Sequence, residues 1–443
     1  MSSPEKEFHL PPTAPLDELL TGAASESVAR VGQAGIKRVG PGFITVYALA
    51  YVAMWMALLA PVIVTLALRV QELVGPDAAP ASQSLVLGVG ALLALFGNPF
   101  FGRLSDRTTS RLGMRRPWLL FGAFGRLLSL VVVAVAPSIP VLLLGWCAAQ
   151  LCYNALLASI TAILPDQVPL EQRGVVSGIL GMGLPLGTVL GAFVVQAVAG
   201  NLLLMFVLPA VITVVAVLVL VVVLKDRRLE RSERPTYSAR DFASSFWVNP
   251  RRHRDFGWAW LSRFLLFMGL STLLTYQAFY MLNKLGEPPA SVPQLIFLST
   301  LVQCAMMVVS SLVAGKLSDR IGRRKVFVFT AAVIYGLGLA VIALAGSLPL
   351  FLVGMAVTGI GQGAYLAVDL ALVTDVLPNK ETDAAKDLGV FNIANALPQS
   401  IAPAIAPLFL AIGGPNNYVS LFVAAALFAA VGAFAISPVR KVR

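Results

Sequence analysis

Long, nearly uninterrupted runs of apolar residues alternate with short polar segments along most of the chain. An α-helix needs about 20 apolar residues to cross a bilayer, and open strands cannot satisfy their backbone polar groups in lipid. The pattern therefore predicts an all-α membrane protein. Twelve transmembrane helices are predicted, near residues 44–68, 84–102, 117–136, 140–163, 174–199, 201–224, 256–282, 292–315, 325–345, 349–374, 387–411 and 417–437.

Composition supports this class. Hydrophobic residues make up 58% of the chain and charged residues 12%, whereas soluble domains carry about 25% charged residues. Cys147, Cys152 and Cys304 all fall in apolar runs, which indicates buried side chains and no disulfide framework. Residues 1–40 lack the pattern of a signal peptide, so we expect a largely disordered cytoplasmic tail.

A short basic loop with one central acid occurs twice. Gly102-Arg-Leu-Ser-Asp-Arg follows the second run, and Gly315-Lys-Leu-Ser-Asp-Arg follows the eighth, 213 residues later. A repeat of this length indicates two similar halves. We therefore expect six-helix halves at 41–224 and 256–437, a basic cytoplasmic linker at 225–255 and a C-terminal tail at 438–443.

Basic residues indicate the orientation. If the N-terminus is cytoplasmic, 29 of the 33 lysines and arginines lie in cytoplasmic segments, as the positive-inside rule requires. The exceptions are Arg69 and Lys284 in outside loops, and Arg126 and Arg263 within spans. Both termini are then cytoplasmic, in a plasma-membrane protein. The net charge of +11 is therefore explained by the topology and by attraction to anionic lipid. We predict no nucleic-acid partner.

Two six-helix halves with these loops resemble the major facilitator superfamily. The first loop reads Ser-Asp-Arg-Thr-Thr-Ser-Arg-Leu-Gly-Met-Arg-Arg-Pro-Trp, from Ser105 to Trp118. That longer form is similar to the loops of the glycoside–pentoside–hexuronide cation symporters and the related sucrose carriers. The resemblance implies a twelve-helix carrier that works by alternating access, and a solute site near the midplane between the halves.

In that superfamily the loop acts as a conformational latch that favours the outward-open state. The alternative is a basic loop that only sets topology. Acids after spans 4 and 10 are further gate candidates, or they simply end their helices. The latch and gate residues that we predict are Gly102, Asp106, Arg107, Arg115, Arg116, Asp166, Arg173, Gly315, Asp319, Arg320, Arg323, Arg324 and Asp375.

Charged residues inside spans are expensive in lipid and are therefore site candidates. Arg126 lies deep in span 3, and a role in the solute cavity is favoured over a structural one. Arg263 in span 7 either lines the cavity or extends its charge to the headgroups. Asp369 in span 10 is the deepest acid, and either carries a proton or forms a structural ion pair with an arginine.

Aromatic and amide side chains within the spans complete the predicted cavity. Aromatic rings stack on the apolar face of a sugar, and amides bond its hydroxyl groups; the alternative is that such residues bridge helices. The candidates are Tyr51, Trp55, Gln150, Tyr153, Asn154, Tyr276, Gln277, Gln303, Gln362, Tyr365, Asn392 and Asn395.

The sequence departs from the sugar symporters because spans 1 and 2 contain no acid, where those relatives place one. The coupling residue is therefore not carried over, and Asp369 is our candidate. Span 5 supports a rival interpretation. Gly174, Gly183, Gly187 and Gly191 match four positions of a glycine motif of drug–proton antiporters, although small residues at this spacing also pack helices closely.

No hydrolase, kinase or phosphate-loop pattern is present, so we expect no enzyme and no cofactor or metal. The sequence predicts a monomeric secondary carrier of a small solute, with a sugar or glycoside and a coupling proton or cation as its partners. The alternative is an exporter of amphiphilic compounds.

Overall fold

The computed structural model describes residues 38–229, 253–376, 384–414 and 416–439, and helices account for nearly all of them. Parts of three predicted segments lie outside these ranges: the N-terminal tail at 1–37, the linker at 230–252 and the C-terminal tail at 440–443. The one β-type pairing among the described residues is an isolated bridge between Ser110 and Gly113. The predicted all-α fold is confirmed.

The helices of the first half follow the predicted spans. Span 1 is Pro41–Ala60, continued by the π-helical turn Pro61–Thr65 and the beginning of Leu66–Asp106, whose remainder is span 2. Spans 3, 4 and 6 are Arg116–Val135, Ile139–Gln167 and Leu202–Val223, and span 5 consists of Leu170–Gly181 and Gly183–Ala197.

The second half has the same arrangement. Span 7 is Arg254–Phe279 with the π-helical turn Tyr280–Lys284. Spans 8 to 12 are Val292–Ile321, Arg324–Leu344, Leu348–Val376, Ala384–Leu410 and Tyr418–Ala435.

Eleven helical segments of the described chain are long and apolar enough to cross a membrane, and the first of them, Pro41–Asp106, is 66 residues long. A straight helix of that length would extend about 100 Å at 1.5 Å per residue, more than three times the thickness of the hydrocarbon core. It is broken at Gly75, which has a φ of 77° and is followed by Pro76. Glycine adopts this conformation readily. The break divides the segment into spans 1 and 2, which gives the twelve predicted spans.

The repeat is visible in the packing of equivalent spans. A Cβ atom on Gly102 would lie 3.9 Å from the Cβ of Ala158, and a Cβ on Gly315 would lie 3.9 Å from the Cβ of Ala367. The same contact thus joins spans 2 and 4 in one half and spans 8 and 10 in the other. Each repeated loop therefore begins at the same point of its half.

The two halves touch away from the repeated loops. We call the end of the bundle that contains residues 103–116, 165–173, 224–229 and 316–325 the basic face, and the opposite end the far face. Three hydrogen bonds join the halves at the midplane or nearer the far face: Gln83 Nε2 to the Thr275 carbonyl (3.0 Å), Ser84 with Tyr276, and Cys304 Sγ to the Pro185 carbonyl (3.7 Å).

Span 5 shows the consequence at the basic face. In Leu170–Gly181, the part nearest that face, only Val176 and Leu180 are buried. Its main neighbours are helices of the first half, whereas Gly183–Ala197 also packs against span 8 of the second half. The structure is therefore open toward the basic face and closed at the far face.

Candidate solute, coupling and latch sites

Arg126 lies in the interior of the first half. Its Nη1 donates to the Ala149 carbonyl (3.0 Å) and its Nη2 to the Ala57 carbonyl (2.8 Å), so one side chain of span 3 joins spans 1 and 4. The residue is 1% exposed, its Nε has no partner, and no acid in the described chain pairs with it. Its Cζ lies 5.0 Å from the centre of the Tyr153 ring, a cation–π contact.

Aromatic rings extend from Arg126 along span 1. The Trp55 ring centre lies 6.3 Å from that of Tyr153 and 6.5 Å from that of Tyr51. Glycines of span 5 admit these side chains, because a Cβ on Gly183 would lie 2.5 Å from Tyr51 Cδ1 and one on Gly187 would lie 2.6 Å from Trp55 Cβ. The Tyr153 hydroxyl is buried and has no hydrogen-bond partner.

The amides of span 4 face a different neighbour. Asn154 packs 3.4 Å from the position of a Cβ on Gly97, and Gln150 packs 3.2 Å from that of a Cβ on Gly90, both on span 2. Asn154 Nδ2 donates to the Gln150 carbonyl (2.8 Å), whereas the side-chain oxygen of Gln150 is buried without a partner. The side-chain oxygen of Gln150 can thus accept a hydrogen bond from a further donor.

The second half holds a buried ion pair at the equivalent depth. Arg263 Nη1 contacts Asp369 Oδ2, and the two side chains are 14% and 5% exposed. Arg263 Nε also donates to Asn395 Oδ1, and its Cζ lies 4.9 Å from the centre of the Phe391 ring. Tyr365 lies beside Asp369 on the same span. Spans 7, 10 and 11 are therefore joined through one arginine.

The remaining polar candidates of the second half lie in two places. Gln303 Nε2 on span 8 lies 3.4 Å from Gln362 Oε1 on span 10. Tyr276 and Gln277 lie near the far face, where Tyr276 contacts Ser84 of the first half and the Gln277 side-chain oxygen is buried without a partner. The side chain of Asn392 lies outside the described residues.

At the basic face, Arg115 forms ion pairs with two acids of the first half. Its Nη1 lies 2.6 Å from Asp106 Oδ1 and 2.8 Å from Ser105 Oγ, and its Nε lies 2.8 Å from Asp166 Oδ2. Burial alone would lower the pKa of Arg115, but the carboxylates of Asp166 and Asp106 raise it above its ordinary value. Arg115 thus stays charged between two acids of its own half.

The other latch candidates are placed less tightly. Arg116 Nη2 donates to the Leu224 carbonyl, and Arg173 donates to the carbonyls of Val168 (2.9 Å) and Pro165 (2.8 Å) and pairs with no acid in the described chain. Arg107 lies at the end of span 2. In the second copy, Arg320 and Arg323 are exposed and Arg324 begins span 9. The side chains of Asp319 and Asp375 lie outside the described residues.

Comparisons with known sequences place this architecture in a family. The sequence profile described as Major Facilitator Superfamily matches residues 43–311 and 290–442. The chain belongs to the major facilitator superfamily. The repeated loops predict this superfamily; the comparisons do not reach the narrower group of sugar symporters.

Curated members with similar sequences are matched over short stretches. The chain is 34% identical to the multidrug resistance protein MdtL of Shewanella over 128 residues, which are 29% of this chain and 31% of MdtL. It is 31% identical to the putative multidrug resistance protein MdtD of Escherichia coli over 157 residues, which are 35% and 30% of the two chains. The match to the uncharacterised transporter YfiU of Bacillus subtilis is 32% identical over 102 residues, 23% of this chain and 19% of YfiU. The chain thus matches less than a third of each relative.

Solved structures of this superfamily share the fold. The peptide transporter POT with alafosfalin has a TM-score of 0.70 at 16% identity, over 92% of this chain and 97% of POT. The nucleoside transporter NupG has a TM-score of 0.69 at 14% identity, over 90% and 98% of the two chains. A bacterial Spinster homologue in an inward-facing conformation has a TM-score of 0.64 at 15% identity, over 90% and 95%.

Sequence reasoning missed two groups of residues in this protein. Gln83 and Ser84 close the far face, although nothing in their type or spacing distinguishes them from other polar residues at the end of a span. Asp226 binds the basic loop. Its position as a lone acid in the run Lys225-Asp-Arg-Arg is a signal that could have identified it.

Proposed function

We propose that this protein is a plasma-membrane secondary carrier that moves a sugar or glycoside by alternating access, in symport with a proton or cation. The observation that carries the proposal is the buried Tyr153 hydroxyl, which has no hydrogen-bond partner and belongs to a ring beside that of Trp55. The Gln150 side-chain oxygen, toward span 2, is likewise buried without a partner. Buried polar groups are normally hydrogen-bonded, so a polyhydroxyl solute is a suitable partner.

Asp369 is the coupling residue that we propose. Its carboxylate is buried and paired with Arg263. Binding of a proton there would remove the charge that Arg263 compensates, and would free the arginine to change partners. Proton binding would thus be linked to a rearrangement of spans 7, 10 and 11.

We propose the basic face as the cytoplasmic side, with both termini there, on the distribution of basic residues. The contacts of Arg115 with Asp106 and Asp166 support the basic loop as a latch. The division into halves at 41–224 and 256–437, with a linker at 225–255 and tails at 1–40 and 438–443, is proposed on the same basis, for a protein that acts as a monomer.

Export of amphiphilic compounds is the second candidate, and the relatives named as multidrug resistance proteins favour it. The span 5 glycines bear on it less directly. Gly183, Gly187 and Gly191 approach span 1 closely, whereas a Cβ on Gly174 would meet nothing within 4 Å. Three of the four positions are thus explained by helix packing.

The deciding experiment measures solute movement in proteoliposomes with and without an imposed pH gradient. Accumulation of a radiolabelled disaccharide, driven by protons and abolished in the double variant Arg263→Gln with Asp369→Asn, would support the symporter. Gradient-driven movement of a lipophilic dye without disaccharide flux would refute that proposal in favour of the exporter. A matched control is Glu72→Gln, because Glu72 belongs to an exposed ion pair away from these groups.

A further inference from the structure

The first residues after span 6 are bound to the basic loop between spans 2 and 3. Asp226 Oδ2 accepts hydrogen bonds from the backbone N–H groups of Arg115 (2.7 Å) and Arg116 (2.9 Å), at the beginning of span 3. The Met114 N–H donates to the Arg227 carbonyl (3.1 Å), and Gln167 Nε2 donates to the Lys225 carbonyl (2.7 Å). The start of the segment that joins the halves is therefore attached to both basic-face loops of the first half.

The basic loop is shaped to receive the Asp226 carboxylate. Gly113 has a φ of 108°, and a Cβ atom there would lie 2.2 Å from Asp226 Oδ2 and 2.4 Å from Asp226 Cγ. A side chain at this position would therefore displace Asp226. The carboxylate also lies at the N-terminus of a helix, where free N–H groups and the helix dipole favour a negative charge.

Asp226 fixes the backbone of the same residue whose side chain binds Asp106. The Arg115 guanidinium reaches Asp106, Asp166 and Ser105, all in the first half. While the halves are apart at the basic face, Arg115 is therefore paired with Asp106, the acid that we assign to the latch. An Asp106 released from Arg115 becomes available to groups of the other half when that face closes.

We propose that Asp226 is a positioning residue of the latch: it holds Arg115 on Asp106 in the structure open to the basic face, and so stabilises that structure against closure. The proposal rests on alternating access as the proposed function, but not on the identity of the solute. Loss of Asp226 should shift the population toward closure at the basic face and opening at the far face.

Hydrogen–deuterium exchange of the purified full-length protein in lipid nanodiscs tests this without a substrate. In Asp226→Ala, we expect exchange in peptides covering 83–88 and 272–280 to rise at least two-fold, and exchange in 170–181 to fall. Changes of opposite sign at the two faces cannot come from general destabilisation. Unchanged exchange, or a rise at both faces, would refute the proposal.

Glycine variants give an independent control. Gly113→Ala introduces both a positive-φ strain and the clash with Asp226, whereas Gly286→Ala introduces strain alone, since Gly286 has a φ of 72° and open space around its Cβ position. We expect Gly113→Ala to reproduce the exchange pattern of Asp226→Ala, and Gly286→Ala not to. The same pattern in both glycine variants would contradict the assignment.

A double variant tests the coupling directly. Since the side chain of Asp226 supplies the clashing atoms, Gly113→Ala should change exchange much less in an Asp226→Ala background than in the parent protein. Additive effects would overturn the proposal. Absence of disaccharide flux in the parent, with the exchange pattern as expected, would refute the proposed solute and leave this inference standing.

Discussion

Separating the Arg263–Asp369 pair should destabilise the protein far more than removing it altogether. Both side chains are almost fully buried. Removing one partner of a buried ion pair leaves an uncompensated charge and costs about 3–5 kcal/mol, whereas replacing both by neutral groups is often close to neutral. We therefore expect Asp369→Asn and Arg263→Gln each to lower the free energy of unfolding by about 3 kcal/mol or more.

The double variant Arg263→Gln with Asp369→Asn should recover most of that loss, because the two amides can bond each other and no charge stays buried. With single costs of about 3 kcal/mol each and a double variant within about 1 kcal/mol of the parent, the interaction energy in the double-mutant cycle should be about 5 kcal/mol. The assay is denaturant titration of the purified proteins in mixed micelles, followed by tryptophan fluorescence. As a control, Glu72→Gln breaks an ion pair whose acid is 61% exposed. This substitution should lower the free energy of unfolding by about 1 kcal/mol or less.

Two results would refute this reasoning. The first is an Asp369→Asn variant within about 1 kcal/mol of the parent protein, which would mean that water or relaxation compensates the arginine. The second is strict additivity of the two substitutions, which would mean that the side chains do not interact in the folded protein.

Three further substitutions test other contacts. Tyr276→Phe removes the hydroxyl bonded to Ser84, should weaken the far-face contact by about 1 kcal/mol, and should raise hydrogen exchange there about five-fold; unchanged exchange would count against that contact. Gly187→Ala brings a Cβ to 2.6 Å from a tryptophan Cβ on span 1 and should lower stability by about 1–3 kcal/mol, whereas Gly178→Ala, with open space, should not; equal melting temperatures would contradict the packing argument. Arg126→Ala should abolish solute flux in a protein that still elutes as a single folded species, and unaltered solute affinity would place the cavity elsewhere.

Sequence alone predicted the spans and the latch loop because both are local patterns. The length and hydrophobicity of an apolar run are enough to indicate a membrane span, and the loop motif is recognisable because it occurs twice in the chain. The sequence also raised an ion pair as one of two roles for Asp369, but did not identify Arg263 as its partner. That pairing depends on how spans 7 and 10 are rotated and shifted against each other, and no spacing along the chain records this.

The same limit explains the polar residues whose neighbours were not predicted. Gln150, Tyr153 and Asn154 are close in sequence, and all three were predicted to line the cavity. The structure directs Gln150 and Asn154 toward span 2 and Tyr153 toward Arg126 and span 1. Residues three and four apart on a helix share one side only broadly, so the packing of neighbouring helices decides which of them meet.

Each half holds a buried arginine beside a tyrosine, but the charges differ. Tyr153 on span 4 lies close to Arg126, and Tyr365 on span 10 lies close to Arg263. Among the described residues, Arg263 is neutralised by Asp369, whereas Arg126 is hydrogen-bonded to backbone carbonyls and pairs with no acid. A buried carboxylate that takes up and releases a proton needs a positively charged partner, which it neutralises only while it is ionised. Among the described residues, only the second half has such a pair. The first half keeps buried polar atoms without partners. We therefore propose coupling chemistry in the second half and solute recognition in the first, connected by rocking of the halves.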